Sequence, residues 1–172
     1  MSSYSVQPLN LTGQAVEPGA AQPAAQTRPG RRVLVSSVSS DSHTWNLVFL
    51  QLLLEEMGHE VTNIGSCVPD ELLIEECRRV RPDLVVISSV NGHGALDGTR
   101  AVRRLREQPD LRNLPVVIGG KLGVQGADAG SYGPELLDAG FDAVFEDGAG
   151  IAEFRRYVGR PARPELLTSG AR

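Results

Sequence analysis

An aspartate and a histidine lie two positions apart near the start of the chain, in the stretch Asp41-Ser42-His43. Carboxylates and imidazoles both ligate metals, but a zinc site needs three or four ligands, and this stretch supplies at most two. The alternative is that Asp41 or Ser42 caps the helix that the following residues predict. The pair by itself therefore leaves its chemistry open.

Two later stretches have equally unusual residues. One reads SSVNGHG, at 88–94, and the other reads GGKLG, at 119–123. Clustered glycines allow positive φ angles and a close approach of the backbone to a ligand. The second stretch fits neither the dinucleotide spacing G-x-G-x-x-G nor the P-loop spacing. The first is also compatible with a flexible turn in which His93 is exposed.

The elements that must position these residues alternate along the chain. Apolar runs bounded by turn residues predict five strands, at 31–38, 59–65, 82–90, 114–120 and 142–147. Apolar stripes of helical period predict five helices, at 44–58, 69–80, 97–108, 133–140 and 150–159. Such alternation predicts an α/β fold whose parallel sheet is covered on both faces. Since crossovers are right-handed, we favour a doubly wound, flavodoxin-like sheet with the strand order 2-1-3-4-5.

This topology brings the unusual stretches together. In an open parallel sheet, ligands bind beyond the carboxyl ends of the strands, where the winding reverses. Here the reversal lies between strands one and three, which precede Asp41 and the 88–94 stretch, and the 119–123 stretch follows the neighbouring strand four. A receiver domain has the same topology, but it needs an acceptor aspartate where this chain has Ser88 and Ser89. The sequence therefore predicts a ligand site at this edge.

Composition and charge bound the class of protein. The chain has 172 residues and a net charge of −4, with scattered Lys and Arg, so we expect neither a nucleic-acid nor a membrane surface. Residues 1–30 predict a disordered arm, 31–159 a single domain and 160–172 a flexible tail. Cys67 and Cys77 form no metal-type pair, and Cys77 falls on an apolar helical stripe. A reduced, cytoplasmic protein is expected.

Taken together, the three stretches resemble the cobalamin-binding domain of the B12-dependent mutases and methyltransferases. That family carries Asp-x-His-x-x-Gly, Ser-x-Leu and Gly-Gly in this order. The motifs appear here as 41–46, 88–90 and 119–120, with Asn46 in place of the glycine and Val90 in place of the leucine. More narrowly, NIGSCVPDELLIE and VISSVNGHGALDG resemble the small subunit of glutamate mutase (methylaspartate mutase). The resemblance runs from about residue 32 to residue 158.

The resemblance implies roles for individual residues. His43 would be the lower axial ligand of cobalt, in place of the dimethylbenzimidazole base of the cofactor, and Asp41 would hydrogen-bond the other ring nitrogen. Trp45 would cover the corrin or face a partner, unless it packs in the core of the first helix. The displaced nucleotide tail would enter a slot between the loops. The implied cofactor-binding residues are Ser40, Asp41, Ser42, His43, Thr44, Ser88, Ser89, Val90, Gly92, Gly119, Gly120, Lys121, Leu122, Gly123, Val124, Glu146 and Gly148.

The resemblance also implies a function. The chain would be the adenosylcobalamin-binding small subunit of an isomerase that interconverts L-glutamate and 3-methylaspartate. A separate, large barrel-type subunit would bind the substrate, and the small subunit would be inactive without it. The alternatives are a cobalamin carrier for methyl transfer and a cobalamin sensor. Such carriers usually have a helical cap domain before the B12 domain, and residues 1–30 are too short and polar to form one.

Overall fold

The fold is a parallel sheet with helices on both faces. A computed structural model describes residues 30–123, 131–146 and 150–160. The described part has five strands: β1 (Arg32–Ser36), β2 (Glu60–Asn63), β3 (Leu84–Ser89), β4 (Val116–Gly120) and β5 (Ala143–Glu146). Its five helices are α1 (Trp45–Glu56), α2 (Asp70–Val80), α3 (Gly94–Glu107), α4 (Gly133–Ala139) and α5 (Gly150–Val158).

The strand order is β2-β1-β3-β4-β5, and every neighbouring pair is parallel. The predicted fold class and strand order are therefore confirmed. The predicted arm and tail lie outside the described residues, apart from Gly30 and Arg160. Within the described residues, no helix is long and apolar enough to cross a membrane.

Alternation along the strands divides the core into two layers. Leu34 and Val85 face α2, α3 and α4, whereas Val33 and Val86 face α1 and α5. All four side chains are at most 3% exposed. Fully burying an aliphatic side chain of this size stabilises the fold by about 1.5–3 kcal/mol, so both layers hold the sheet between the helices.

Strand register aligns the carboxyl ends of β1, β3 and β4. Ser36 of β1 pairs with Ile87, and Ser89 at the end of β3 pairs with Gly120 of β4. Gly120 has a φ of +107°, and a Cβ there would lie 2.3 Å from the carbonyl oxygen of Ser89. Glycine is therefore required at position 120, where two strand ends meet.

Two helix starts differ from simple expectation. The helix α1 begins after Thr44, and no side chain caps it, so neither Asp41 nor Ser42 is its cap. The helix α3 begins at Gly94, three residues before the predicted start. The N–H of Ala95 donates to the carbonyl oxygen of Leu122 at 2.9 Å, which ties this extra turn to the chain that follows β4.

Candidate functional site

The carboxylate of Asp41 lies at the centre of the site, and its side chain is fully buried. Its Oδ1 accepts a hydrogen bond from the backbone N–H of His43 at 3.0 Å and lies 2.7 Å from Nδ1 of the His43 ring. Its Oδ2 accepts from the hydroxyl of Ser89 at 2.9 Å and from the N–H of Val90 at 2.6 Å. One side chain therefore joins the loop after β1 to the end of β3.

These contacts determine the charge of Asp41. Burial alone would raise its pKa, because a buried carboxylate is poorly solvated. The hydrogen bonds from His43, Val90 and Ser89 outweigh burial and hold the pKa of Asp41 below its usual value. An ionised carboxylate can only accept a hydrogen bond, so Nδ1 of His43 is the donor. The lone pair of the neutral ring is consequently on Nε2.

His43 itself is accessible. Its side chain is 47% exposed, although the carboxylate that holds it is buried. An imidazole oriented by a carboxylate and open to solvent is the arrangement that metal-binding histidines use. In the described part of the chain, no third His, Cys, Asp or Glu is placed to complete a metal site.

Asn91 ties the loop after β3 to the loop that carries Asp41. Its Nδ2 donates to the carbonyl oxygen of Ser40 at 2.9 Å. Its Oδ1 accepts from the N–H of His93 at 2.9 Å. The backbone between β1 and Asp41 is thereby held against the loop that follows Val90.

A charged cluster supports Ser40 from the other side. The hydroxyl of Ser40 donates to Asp97, and the guanidinium of Arg100 donates to Asp97 at 2.7 Å and to Asp70 at 2.7 Å. Arg100 also donates to the hydroxyl of Ser39 at 2.7 Å. The hydrogen bond to Asp70, followed by that to Asp97, raises the pKa of Arg100, so the guanidinium stays charged. This network (Ser39, Ser40, Asp70, Asp97, Arg100) is called the loop-supporting cluster.

A cavity of about 240 Å³ lies between the sheet and the helices α1 and α5, next to the loop that carries His43. Its walls are mainly apolar. Its lining residues are Trp45, Asn46, Phe49, Leu50, Val86, Ile87, Ser88, Val90, Val117, Ile118, Gly119, Gly120, Phe145, Glu146, Gly150, Ile151 and Phe154.

Two polar side chains lie in this cavity wall. Asn46 is 4% exposed, and its Nδ2 donates to the hydroxyl oxygen of Ser88 at 2.9 Å. Within the described residues, Oδ1 of Asn46 and Oε1 of Glu146 are buried and have no hydrogen-bond partner. Unpaired buried polar atoms of this kind are rare in proteins.

The paired glycines bring strands together at the cavity wall. A Cβ on Gly119 would lie 2.8 Å from the carbonyl oxygen of Phe145, in the neighbouring strand β5. The Cβ missing from Gly120 would meet Ser89 of β3 in the same way. The pair is therefore needed for strand packing, and both glycines also line the cavity wall.

The predicted site residues separate into groups. Ser40, Asp41, His43, Ser89 and Val90 share the hydrogen bonds described above, whereas Lys121 and Ser42 are exposed. Leu122 is buried in the core beside α3. The members that line the cavity are Ser88, Val90, Gly119, Gly120 and Glu146.

The remaining predicted residues have other positions. Thr44 precedes α1, Gly92 has a φ of +83°, and a Cβ on Gly123 would meet the ring of Tyr132 at 2.2 Å. Val124 and Gly148 lie outside the described residues.

Sequence reasoning missed most of the apolar cavity wall, including Phe49, Phe145, Ile151 and Phe154. The sequence held one signal of this wall, because α1 is apolar on almost every side. In the structure, the side chains of Trp45, Val48, Phe49 and Leu52 are 47–64% exposed. A helix of this kind is expected to be covered on more than one side. Because Trp45 is 64% exposed, it is not a core residue of α1.

This chain is similar in sequence to known proteins. The family described as the B12 binding domain matches residues 31–153. The glutamate mutase sigma subunit of Fusobacterium nucleatum is 27% identical over 123 residues, covering 72% of this chain and 90% of the relative. The glutamate mutase sigma subunit of Treponema denticola is 28% identical over 120 residues, covering 70% and 86%.

Solved structures share the fold. A cobalamin-binding protein from Desulfitobacterium hafniense has a TM-score of 0.59 at 19% identity, covering 75% of this chain and 59% of its own. The monomethylamine corrinoid protein of Methanosarcina barkeri has a TM-score of 0.59 at 22% identity, covering 74% and 57%. This chain thus spans less than two thirds of either protein. At these identities, the likeness shows the fold and no more.

Proposed function

This chain belongs to the B12-binding domain family, and we propose that it is the adenosylcobalamin-binding small subunit of a carbon-skeleton mutase. The relatives named glutamate mutase sigma subunit support the proposal, because the match covers 90% and 86% of their lengths. Their name designates one subunit of an assembly. The proposed reaction is the interconversion of L-glutamate and 3-methylaspartate.

The residues present fit a cobalamin. The observation that carries the proposal is the 2.7 Å contact between Nδ1 of His43 and the ionised carboxylate of Asp41. It leaves Nε2 of His43 with a lone pair in a ring that is open to solvent. In this proposal His43 would hold the cobalt of a bound cobalamin, Asp41 would orient the His43 ring, and the adjacent cavity would take the nucleotide tail of the cofactor.

The protein's part in the chemistry is to bind, orient and shield. When bound, adenosylcobalamin supplies radical chemistry through homolysis of its cobalt–carbon bond. Asp41 holds a proton on Nδ1 of His43 and strengthens the ring as a donor. Ser89 and Val90 hold Asp41, and the loop-supporting cluster holds the backbone before it. The proposed ligand is therefore positioned by hydrogen bonds from two loops.

A separate large subunit is part of the proposal. His43 shares the carboxyl edge of the sheet with Trp45 and Leu96, which begin α1 and α3 and are 64% and 74% exposed. Large apolar side chains around a ligand position are suited to a surface that a partner covers. In this proposal the large subunit carries a substrate-binding barrel and covers this edge.

Electron paramagnetic resonance of the chain loaded with cob(II)alamin tests the ligand. The cofactor's benzimidazole carries a nitrogen isotope label, so its splitting differs from that of a protein nitrogen. We expect splitting from a protein nitrogen, and we expect His43→Gln to abolish it. His93→Gln is the matched control, because His93 is exposed on the adjacent loop. Splitting from the labelled base in the wild type contradicts the assignment.

Activity separates the proposed mutase from a cobalamin carrier. The chain and a candidate large subunit are combined with adenosylcobalamin, and the conversion of glutamate to 3-methylaspartate is followed. Activity that requires both proteins supports the mutase. Cobalamin binding that leads to methyl transfer, with no isomerisation, supports a carrier instead.

A further inference from the structure

The helices α1 and α5 lie side by side on one face of the sheet, where Leu50 of α1 shares a core layer with Phe154 of α5. Both helices begin at the carboxyl edge and end beside Arg31, which precedes β1 at the amino edge. The side chain of Arg31 donates to the carbonyl oxygen of Arg160, and its carbonyl oxygen accepts from the N–H of Glu60. The outward sides of α1 (48–56) and α5 (151–156) therefore run in the same direction, and together they are called the α1–α5 face.

The half of the α1–α5 face nearest the carboxyl edge is apolar. Val48, Phe49 and Leu52 of α1 and Ile151 of α5 are 45–60% exposed. The three residues of α1 lie opposite its buried side, at the spacing of three and four residues that makes one helical stripe. Exposed apolar patches rimmed by polar residues mark contacts with other proteins.

The half nearest the amino edge is charged, and the two helices carry opposite charges there. The helix α1 ends in Glu55 and Glu56 and has no basic residue, whereas the last turn of α5 carries Arg155 and Arg156. All four residues are exposed. Nη2 of Arg156 lies 3.8 Å from Oε1 of Glu153, but both side chains are more than half exposed, so this ion pair is weak.

A second copy of this chain matches the pattern of the face. A two-fold rotation about an axis that runs parallel to the helices, midway between them, keeps each residue at its height and exchanges the two sides. The α1 of one copy then lies on the α5 of the other. The apolar halves meet, and the acidic end of each α1 meets the basic end of the opposite α5.

We propose that the α1–α5 face is a homodimer interface in which α1 of each protomer packs on α5 of the other. Two helices side by side give a face about 20 Å wide, and the 12 residues of α1 make it about 18 Å long. Interfaces of this size belong to the small class, below about 1,200 Å² in total, so the expected dimer has a dissociation constant in the micromolar range. The carboxyl edge with His43 stays open, and the dimer does not depend on the proposed function.

Sedimentation velocity of the purified full chain, from low to high micromolar concentration, tests the inference. We expect a monomer–dimer equilibrium that shifts with concentration. Leu52→Glu places a charge in the apolar half and should weaken dimerisation by about tenfold or more. Leu137→Glu, at an exposed position of α4, is the matched control and should dimerise like the wild type. A wild-type chain that stays monomeric, or a Leu52→Glu dimer as tight as the wild type, overturns the inference.

Charge reversal tests the pairing of α1 with α5. Glu55→Arg with Glu56→Arg makes both helix ends basic, and Arg155→Glu with Arg156→Glu makes both acidic, so each variant alone should fail to dimerise. Mixed in equal amounts, the two variants should form a heterodimer, because both contacts then join opposite charges.

Circular dichroism checks that both charge variants are folded. A contact of α1 with α1 would leave the Arg155→Glu, Arg156→Glu variant dimeric, and that result overturns the pairing. Folded variants that do not associate when mixed overturn it as well.

The proposed large subunit is the alternative occupant of this face. If it covers the face, the chain alone is monomeric and Leu52→Glu weakens association with the large subunit, which overturns the homodimer and leaves the proposed function standing. A chain that dimerises as expected but binds no cobalamin supports the homodimer and contradicts the proposed function. The two proposals therefore fail separately.

Discussion

At the scale of single residues, Asp41 links the most parts of the site. One carboxylate oxygen contacts the ring and the backbone N–H of His43, and the other accepts from the hydroxyl of Ser89 and the N–H of Val90. No part of the side chain is exposed. Its pKa is lowered although it is buried, since those hydrogen bonds all favour the charged form. The orientation of His43 depends on that charge.

Asp41→Asn tests the charge with little change of shape. An amide leaves no carboxylate to hold the proton on Nδ1 of His43, so we expect cobalamin affinity to fall by about 10- to 100-fold. Titration calorimetry measures the dissociation constant. Asp138→Asn, an exposed substitution on α4, is the control and should bind like the wild type. An unchanged affinity in Asp41→Asn would show that the carboxylate is dispensable for binding.

His59 provides a pH-dependent contact away from the site. Burial, followed by the charge of Arg31, lowers the pKa of His59, and its Nδ1 accepts from the backbone N–H of Arg31 at 3.1 Å. The neutral ring therefore stabilises the fold above the unfolded pKa of about 6.5, and this contribution is lost as the pH falls through the folded pKa.

We accordingly expect the free energy of unfolding to fall as the pH drops below about 6.5. His59→Gln removes this titration and should make the profile flatter in the same range. Urea denaturation at a series of pH values measures both curves. His93→Gln, an exposed histidine variant, should retain the wild-type profile. Parallel curves for the wild type and His59→Gln would rule out this contribution.

At the scale of elements, the loop after β1 is supported by two helices. Arg100 of α3 bonds Asp70 at the start of α2 and Asp97 of its own helix, and the two carboxylate residues are 6% and 7% exposed. Ser39 and Ser40 of the loop attach to the same groups. The helices α2 and α3 therefore position a loop that neither of them contains.

Arg100→Met leaves two nearly buried carboxylates without their main cation. Removing one partner of a fully buried pair costs several kcal/mol, but Arg100 is 46% exposed, so we expect a loss of about 1–2 kcal/mol in unfolding free energy. Chemical denaturation measures the loss. Arg103→Met, at an exposed position of the same helix, should change stability little. Equal stability of both variants would argue against the cluster.

At the scale of the whole molecule, the carboxyl edge of the sheet combines the proposed ligand with exposed apolar side chains. Leu96 is 74% exposed at the start of α3, and Trp45 is 64% exposed beside His43. Exposed apolar side chains elsewhere, such as Leu137 at 48%, lie away from this edge, near the C-terminal end of α4. Leu96 and Trp45 are the two most exposed large apolar side chains in the described part of the chain, so the proposed partner is expected at this edge.

Leu96→Glu tests where the large subunit binds. A charge at this exposed position should leave the fold and cobalamin binding by the small subunit intact, while it weakens association with the large subunit at least tenfold. Sedimentation velocity measures the association. Leu137→Glu is the matched control and should associate like the wild type. Equal weakening by both substitutions would place the interface elsewhere.

The sequence by itself determined the five strand–helix units, the strand order and the position of Asp41 and His43 after β1. Apolar periodicity is local, and right-handed crossovers leave few ways to connect parallel strands. Three motifs in the same order also identified the family, which matches residues 31–153. Boundaries were less certain, because α3 gains its first turn from a contact with Leu122.

Only the tertiary structure decided what the side chains contact. Asp41 bonds Ser89 and Val90, which follow it by 48 and 49 residues, and Asn46 bonds Ser88, which follows it by 42. Such pairs depend on strand register and side-chain rotamers, which local sequence patterns do not specify. For the same reason, the sequence left open whether Asp41 caps α1 or holds His43, and the folded sheet decided for His43.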